Sequence, residues 1–254
     1  DAGKISGCQV LVARREEVLY HYLGGFRDRE RKSPMTDDTV FRIYSMTKPI
    51  TSVALMTLFE RGMFSLEDPV HRYIPEWSSL KVRAAGSYPD FQTLPCERPM
   101  TVRDLLRHTS GLTYDFLNST NLDAAYRELG VARPKPGYTL RDMIDQVSSL
   151  PLEFSPGARW NYSIATDVLG YLVEVISGQS FPEYLQENLF EPLGMVDTGF
   201  NLRDDQRERF ACCYERDANK KLLLQDDAMD SEYQDRTYYS GGGGLLSTMP
   251  DYWA

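Results

Sequence analysis

The stretch FRIYSMTKPITSVALMTLFERG (residues 41–62) decides how the chain is read. From Ser45 onward its pattern is helical. Ile50, Val53, Ala54, Met56, Leu58 and Phe59 give a mostly apolar surface, and Gly62 ends the run. A helix that is apolar around most of its circumference belongs in a core. Ser45 and Lys48 stand at its entrance, three residues apart and therefore on one face. Pro49 has no backbone N–H to donate and suits a first turn, which places Ser45 in or beside that turn.

Two readings of the pair are open. In one, Ser45 is an N-cap and Lys48 a solvated first-turn lysine. In the other, Ser45 is a nucleophile. A serine hydroxyl attacks poorly until something takes its proton, and a lysine amine desolvated by apolar neighbours can take it. The free N–H groups and dipole of a helix N-terminus favour negative charge developing nearby. The tetrapeptide alone does not choose between them.

Upstream, CQVLVARREEVLYHYLGGFRD (8–28) reads as a β-hairpin. Val10, Leu11 and Val12 form one strand, Arg14 to Glu17 the turn, and Val18, Leu19, Tyr20 and Tyr22 the other, ending at Gly24-Gly25. Downstream, short helical pieces are broken by prolines and glycines. Ser65 with Asp68, and Thr101 with Asp104, carry the spacing of a capping box, the second helix closing at Gly111. The segment 78–98, with Gly86, Pro89 and Pro95, reads as a surface excursion. SPGARWNYSIATDVLGYLVEVISG (155–178) gives a Pro-Gly turn, an extended piece carrying Tyr162, then an amphipathic helix ending at Gly178. A second amphipathic helix, PEYLQENLFEPLGM (182–195), is stopped by Pro192 and Gly194. The four glycines at 241–244 permit a close approach of backbone to something, or a sharp change of direction.

With 254 residues, 42% hydrophobic and 26% charged, the chain has a globular composition. Its net charge of −9 argues against nucleic acid or an anionic membrane as partner, since like charge repels both. Cys8, Cys96, Cys212 and Cys213 have neither zinc-site spacing nor the density of a disulfide framework. His21, His71 and His108 form no metal-binding motif, so neither metal nor cofactor is expected. No run of about eighteen apolar residues predicts a membrane span. The opening DAGKISG has neither an initiator Met nor a signal peptide. A leader removed or lying outside this sequence is therefore the expectation, and a cytoplasmic location stands slightly ahead of a periplasmic or secreted one.

Four segments taken in order carry more weight than any motif: residues 40–77, MTVRDLLRHTSGL (100–112), residues 154–200, and YSGGGGLLSTMPDYWA (239–254). Together they resemble the class C β-lactamase and penicillin-binding-protein-like serine hydrolase family over nearly the whole chain. The resemblance implies an α+β fold, an antiparallel sheet flanked by helices with a mostly helical lobe. On it, residues 1–254 form one domain: sheet hairpin and lead-in at 1–44, a mainly helical region with the motifs at 45–240, and a Gly-rich segment at 241–254. It also implies roles: Ser45 as the acylated nucleophile with its backbone N–H in the oxyanion hole, Lys48 as proton partner, and Tyr162 as the general base for the second half of the reaction.

The sequence departs from that family in two places. Where β-lactamases and carboxypeptidases have Tyr-x-Asn, the third position here is Ile164, a change that moves weight from β-lactams towards esters. The Lys/His-Thr/Ser-Gly motif is absent from its expected place, and HTSG (108–111) is assigned a structural role instead. Family members continue into a further helix and strands, so the C-terminal strands appear to be missing. A lone hairpin makes no independently stable sheet, and the rest is expected elsewhere unless this is a truncated relative.

The expectation is a carboxylesterase acting through an acyl-enzyme, with transfer to an alcohol as a further option. The alternatives are a β-lactamase or D-alanyl-D-alanine carboxypeptidase, and a non-catalytic scaffold of the same fold. The partner is then a small-molecule ester or amide, with the oligomeric state open. Tyr44, Tyr114, Phe116 and Trp160 are expected to wall the substrate pocket, in a chain with sixteen tyrosines and eleven phenylalanines.

Overall fold

A computed structural model of the chain describes residues 3–133 and 135–254. In chain order it contains strands β1 (Gly7–Arg14), β2 (Glu17–Asp28), β3 (Ser33–Pro34) and β4 (Phe41–Arg42), helix α1 (Thr47–Glu60), and strands β5 (Lys81–Ala85) and β6 (Gln92–Pro95). Helices α2 (Val102–Leu106), α3 (Asn121–Leu129), α4 (Leu140–Ser148), α5 (Ala165–Ser177), α6 (Phe181–Leu185) and α7 (Glu191–Leu193) follow. Strands β7 (Cys213–Arg216), β8 (Leu222–Asp226) and β9 (Leu246–Ser247) and helix α8 (Met249–Trp253) complete the order. The chain divides into two compact units, one of residues 1–43, 189–235 and 245–254, the other of 44–188 and 236–244.

In the first unit β1 and β2 form the hairpin expected from two apolar runs around a polar turn, turning at Arg15-Glu16 with Arg14 opposite Glu17. β2 also pairs with β3, giving an antiparallel sheet in the order β1-β2-β3. The glycines at 24 and 25 do not end the strand as expected. They pair with Cys8 and Gly7, and a Cβ on Gly25 would stand 2.4 Å from the Ser6 carbonyl oxygen, so what they provide is close approach rather than termination. The core of this unit gathers Val40, Leu202, Phe210, Cys212, Ala228, Tyr233 and Leu246.

The second unit is built around α5, against which α1, α2, α4 and α6 all pack. Ala165, Val168, Leu169, Leu172 and Val173 of α5 are buried, as the apolar run predicts. α1 is less wrapped than its composition suggests. Thr47, Ile50, Thr51, Ala54, Leu55 and Leu58 face inward, while Val53 is exposed.

Four local expectations are corrected. Asp68 Oδ2 accepts from the Ser65 N–H as in a capping pair, but the Ser65 hydroxyl takes the Glu67 N–H instead and no α-helix follows, because Pro69 is extended and only a 3-10 turn at Val70–Arg72 comes next. α2 keeps its Thr101–Asp104 capping box but stops at Leu106, with His108 rather than Gly111 taking the first left-handed conformation after it. The 78–98 excursion contains a hairpin, β5 with β6, tied to the rest by two bonds between Leu152 and the Lys81–Arg83 backbone. Pro192 does not stop the second amphipathic helix. A π turn at Gln186–Phe190 re-phases the backbone so that Pro192 falls in the first turn of α7, where its missing N–H costs nothing, and Gly194 ends it.

Candidate active site

Ser45 lies in a single 3-10 turn, Tyr44–Met46, that leads into α1. Tyr44 has φ +43, a left-handed conformation that is costly for a bulky residue, so the turn presenting Ser45 is strained. Lys48 is the second residue of α1 and Pro49 the third, as the missing donor requires.

The Ser45 Oγ stands 2.7 Å from the Tyr162 hydroxyl. Lys48 Nζ donates to Ser45 Oγ at 3.3 Å and to the Gly242 carbonyl at 2.7 Å. It also lies 4.6 Å from the centre of the Tyr162 ring and 5.4 Å from that of Tyr114. A serine, a lysine and a tyrosine from three separate places in the sequence thus share one hydrogen-bonded cluster. Such a cluster can move a proton off the serine while a cation steadies the phenolic oxygen that receives it.

Tyr162 is held by its loop. The Asn161 N–H donates to the His108 carbonyl at 2.9 Å, Asn161 Nδ2 to the Leu112 carbonyl at 2.9 Å, and the Ile164 N–H to the Thr113 carbonyl at 3.2 Å. The segment 108–113, containing HTSG, is therefore the backbone ladder on which the Tyr162 loop hangs. Ile164, where an amide side chain was looked for, is buried in the core of its unit. The His108 ring lies 5.1 Å from that of Tyr162, and its Nδ1 is 3.2 Å from the Ser163 hydroxyl. Burial, reinforced by the charge of Lys48, lowers the His108 pKa to about 4, so the ring is neutral near pH 7.

Three of the four expected pocket residues gather at Tyr162. Tyr114 is 5.2 Å from it and stacks on Phe116 at 4.7 Å, while Trp160 lies parallel to it at 6.4 Å. Phe116 and Trp160 are 57% and 66% exposed, leaving apolar surface open beside the reacting groups. Tyr44 adjoins Ser45 in the chain and is half exposed. Among the described residues, no group of His, Cys, Asp or Glu is arranged to hold a metal, and no helix is long and apolar enough to cross a membrane.

Asp167 belongs to the same neighbourhood and was not singled out from the sequence. Its Oδ1 accepts from the Tyr238 hydroxyl at 3.1 Å, the Ser240 hydroxyl at 2.5 Å and the Gly242 N–H at 3.1 Å. The available signal is weak: Asp167 is one of two acidic residues, with Glu174, in the mostly apolar helix of SIATDVLGYLVEV.

The family described as Beta-lactamase matches residues 1–253, and the chain belongs to it. Its fold is the β-lactamase/transpeptidase-like one, and its relatives are serine hydrolases that include esterases and acyltransferases. Esterase EstB of Burkholderia gladioli is 34% identical over 268 residues, which cover 98% of this chain and 64% of that one. The structure of EstCE1, a hydrolase with promiscuous acyltransferase activity, superposes with a TM-score of 0.81 at 29% identity, covering 98% of this chain and 66% of its own. Unliganded simvastatin synthase (LovD) from Aspergillus terreus superposes with a TM-score of 0.78 at 28% identity, covering 99% and 62%. The chain thus spans less than two thirds of each of these relatives.

Proposed function

We propose that this chain carries the nucleophilic half of a carboxylic ester hydrolase that works through an acyl-enzyme on Ser45. The 2.7 Å contact between Ser45 Oγ and the Tyr162 hydroxyl, with Lys48 Nζ bonded to the same oxygen, carries the reading. In acylation, Ser45 Oγ attacks the ester carbonyl and gives its proton to the Tyr162–Lys48 pair. The developing oxyanion is met by the Ser45 N–H, and the pair returns the proton to the departing alkoxide. Tyr162 then takes a proton from water, or from an acceptor alcohol, as that oxygen attacks the acyl-enzyme, and returns it to Ser45 Oγ as the acyl–Oγ bond breaks and the acid or new ester leaves. Ile164 in place of an amide, the open aromatic surface of Phe116 and Trp160, and the esterase and acyltransferase relatives together favour esters over β-lactams.

The test is intact-protein mass spectrometry with peptide mapping after exposure to a fluorophosphonate, alongside turnover of a p-nitrophenyl ester and a chromogenic cephalosporin. One adduct on Ser45 and faster ester turnover are expected. Ser45→Ala should abolish both labelling and turnover, and Tyr162→Phe should slow turnover roughly a hundredfold. Cephalosporin turnover above that of the ester would move the assignment to a β-lactamase or carboxypeptidase. Absence of any adduct would leave the scaffold reading.

A further inference from the structure

Asp167 is a carboxyl group that the reaction above does not use, yet the fold buries it beside the reacting residues. It sits in the first turn of α5 with 1% of its surface exposed. Withdrawing a carboxylate from water is costly unless donors replace the water. Tyr238, Ser240 and Gly242 supply them, all to one oxygen. Burial raises the Asp167 pKa above the ordinary range, while these donors and the nearby charge of Lys48 pull it back.

The peptide that Asp167 grips is the one that grips Lys48. Gly242 gives its N–H to Asp167 and its carbonyl to Lys48 Nζ, so one residue carries both bonds. The neighbouring Gly241 carbonyl is fixed by the Thr51 hydroxyl of α1 at 2.8 Å. A Cβ at position 242 would lie 2.5 Å from Asp167 Oδ2 and 2.8 Å from the Tyr114 hydroxyl oxygen. One at 241 would lie 2.6 Å from the Thr166 carbonyl oxygen. This approach is therefore open only to glycine. Tyr114 extends the arrangement to the far side of Lys48, its ring facing both Nζ and Tyr162.

We propose that Asp167 is a positioning residue for the Ser45 reaction: by holding the Gly242 N–H, it fixes the carbonyl that sets Lys48 against Ser45 and Tyr162. The inference rests on the reading of Ser45 as the reacting group. A displacement of about an ångström in such a cluster costs up to a hundredfold in rate. Asp167 makes its contribution without touching substrate.

Fluorophosphonate labelling of Ser45 separates the possibilities, because its end-point counts competent sites and its rate constant reports how well each is arranged. Asp167→Asn and Ser240→Ala should label to the wild-type end-point at a rate roughly tenfold or more lower. Asp167→Ala, which keeps no acceptor, should lose more than Asp167→Asn. In ester turnover kcat should fall while KM stays within about twofold. Ser240→Ala removes one hydroxyl from a half-buried residue and reports even if the Asp167 variants do not fold. Wild-type rates at full end-point in these variants would overturn the proposal. So would a reduced end-point with the surviving sites reacting at the wild-type rate, which is the signature of a residue that holds the fold alone. Wild-type protein that takes no label on Ser45 would remove the underlying reading, and the proposal with it.

Discussion

His108 is surrounded by aromatic rings, with Tyr162 at 5.1 Å and Trp160 at 6.2 Å, and its Nδ1 meets the Ser163 hydroxyl. Its imidazole titrates near 4 in the folded chain against an ordinary 6.5. Above 6.5 the ring is neutral folded or unfolded. Between 6.5 and about 4 the unfolded chain takes up a proton that the folded chain refuses, so stability falls as pH drops through that window and levels off below it. His108→Gln should remove this part of the acid sensitivity. The check is thermal melting at pH 7 and pH 5, where the variant should lose less between the two than the wild type. At this scale Ser45, Lys48 and Tyr162 were singled out by the resemblance of four segments taken in order, since the short motifs alone left both readings open. The sequence was silent on Asp167, whose partners Tyr238, Ser240 and Gly242 lie some seventy residues away and follow no local spacing.

The elements are held at their starts by side chains that also reach across to neighbours. Asp123, in the first turn of α3, accepts from the Ser119 N–H at 2.7 Å and the Thr120 N–H at 3.0 Å on one oxygen. On the other it accepts from the Thr113 hydroxyl at 2.6 Å. It is fully buried, so truncation leaves the buried Thr113 hydroxyl and the two N–H groups at the helix start without their acceptor. Asp123→Ala should cost about 2–4 kcal/mol, seen as a lower urea midpoint with an unchanged slope, and Asp123→Asn should recover part of it. The pairing of Thr or Ser with an acidic residue three places on was legible wherever a helix follows, as at Thr101. It misled at Ser65, because the pattern records only which groups can bond and not whether the next residues continue as a helix. The β1–β2 hairpin was legible from two apolar runs flanking a polar turn. The passage of β2 through Gly24-Gly25 was not, since it depends on how near Ser6 and Gly7 come.

At the scale of the whole chain, one unit is assembled from three stretches far apart in sequence, and Arg42 is among the groups that join them. Its Nε donates to Asp226 at 2.7 Å, with a second contact to the same carboxylate, and it also bonds to the Ala211 carbonyl and to the Ser231 hydroxyl. The guanidinium lies 4.0 Å from the centre of the Phe210 ring, and its side chain is 4% exposed. Arg42→Ala leaves Asp226, whose side chain is 22% exposed, without its cation and removes the buried partner of Phe210, and should destabilise the protein by about 3 kcal/mol. Chemical denaturation measures this, and a loss below about 1 kcal/mol would mean that water reaches Asp226. No spacing in the sequence announced this junction, because its parts are separated by up to 189 residues. A last consequence follows from the setting of Trp160, solvated and parallel to Tyr162, while Trp77 is 5% exposed with its indole N–H bonded to Ser148. An indole in water emits further to the red than one in a core, and its brightness depends on what lies against it. On the proposed reaction, an acyl group arriving beside Tyr162 would change both the solvent and the quenching around Trp160. The chain would then carry an optical signal of its own occupancy, readable on the red side of its fluorescence against the constant emission of Trp253, itself 45% exposed.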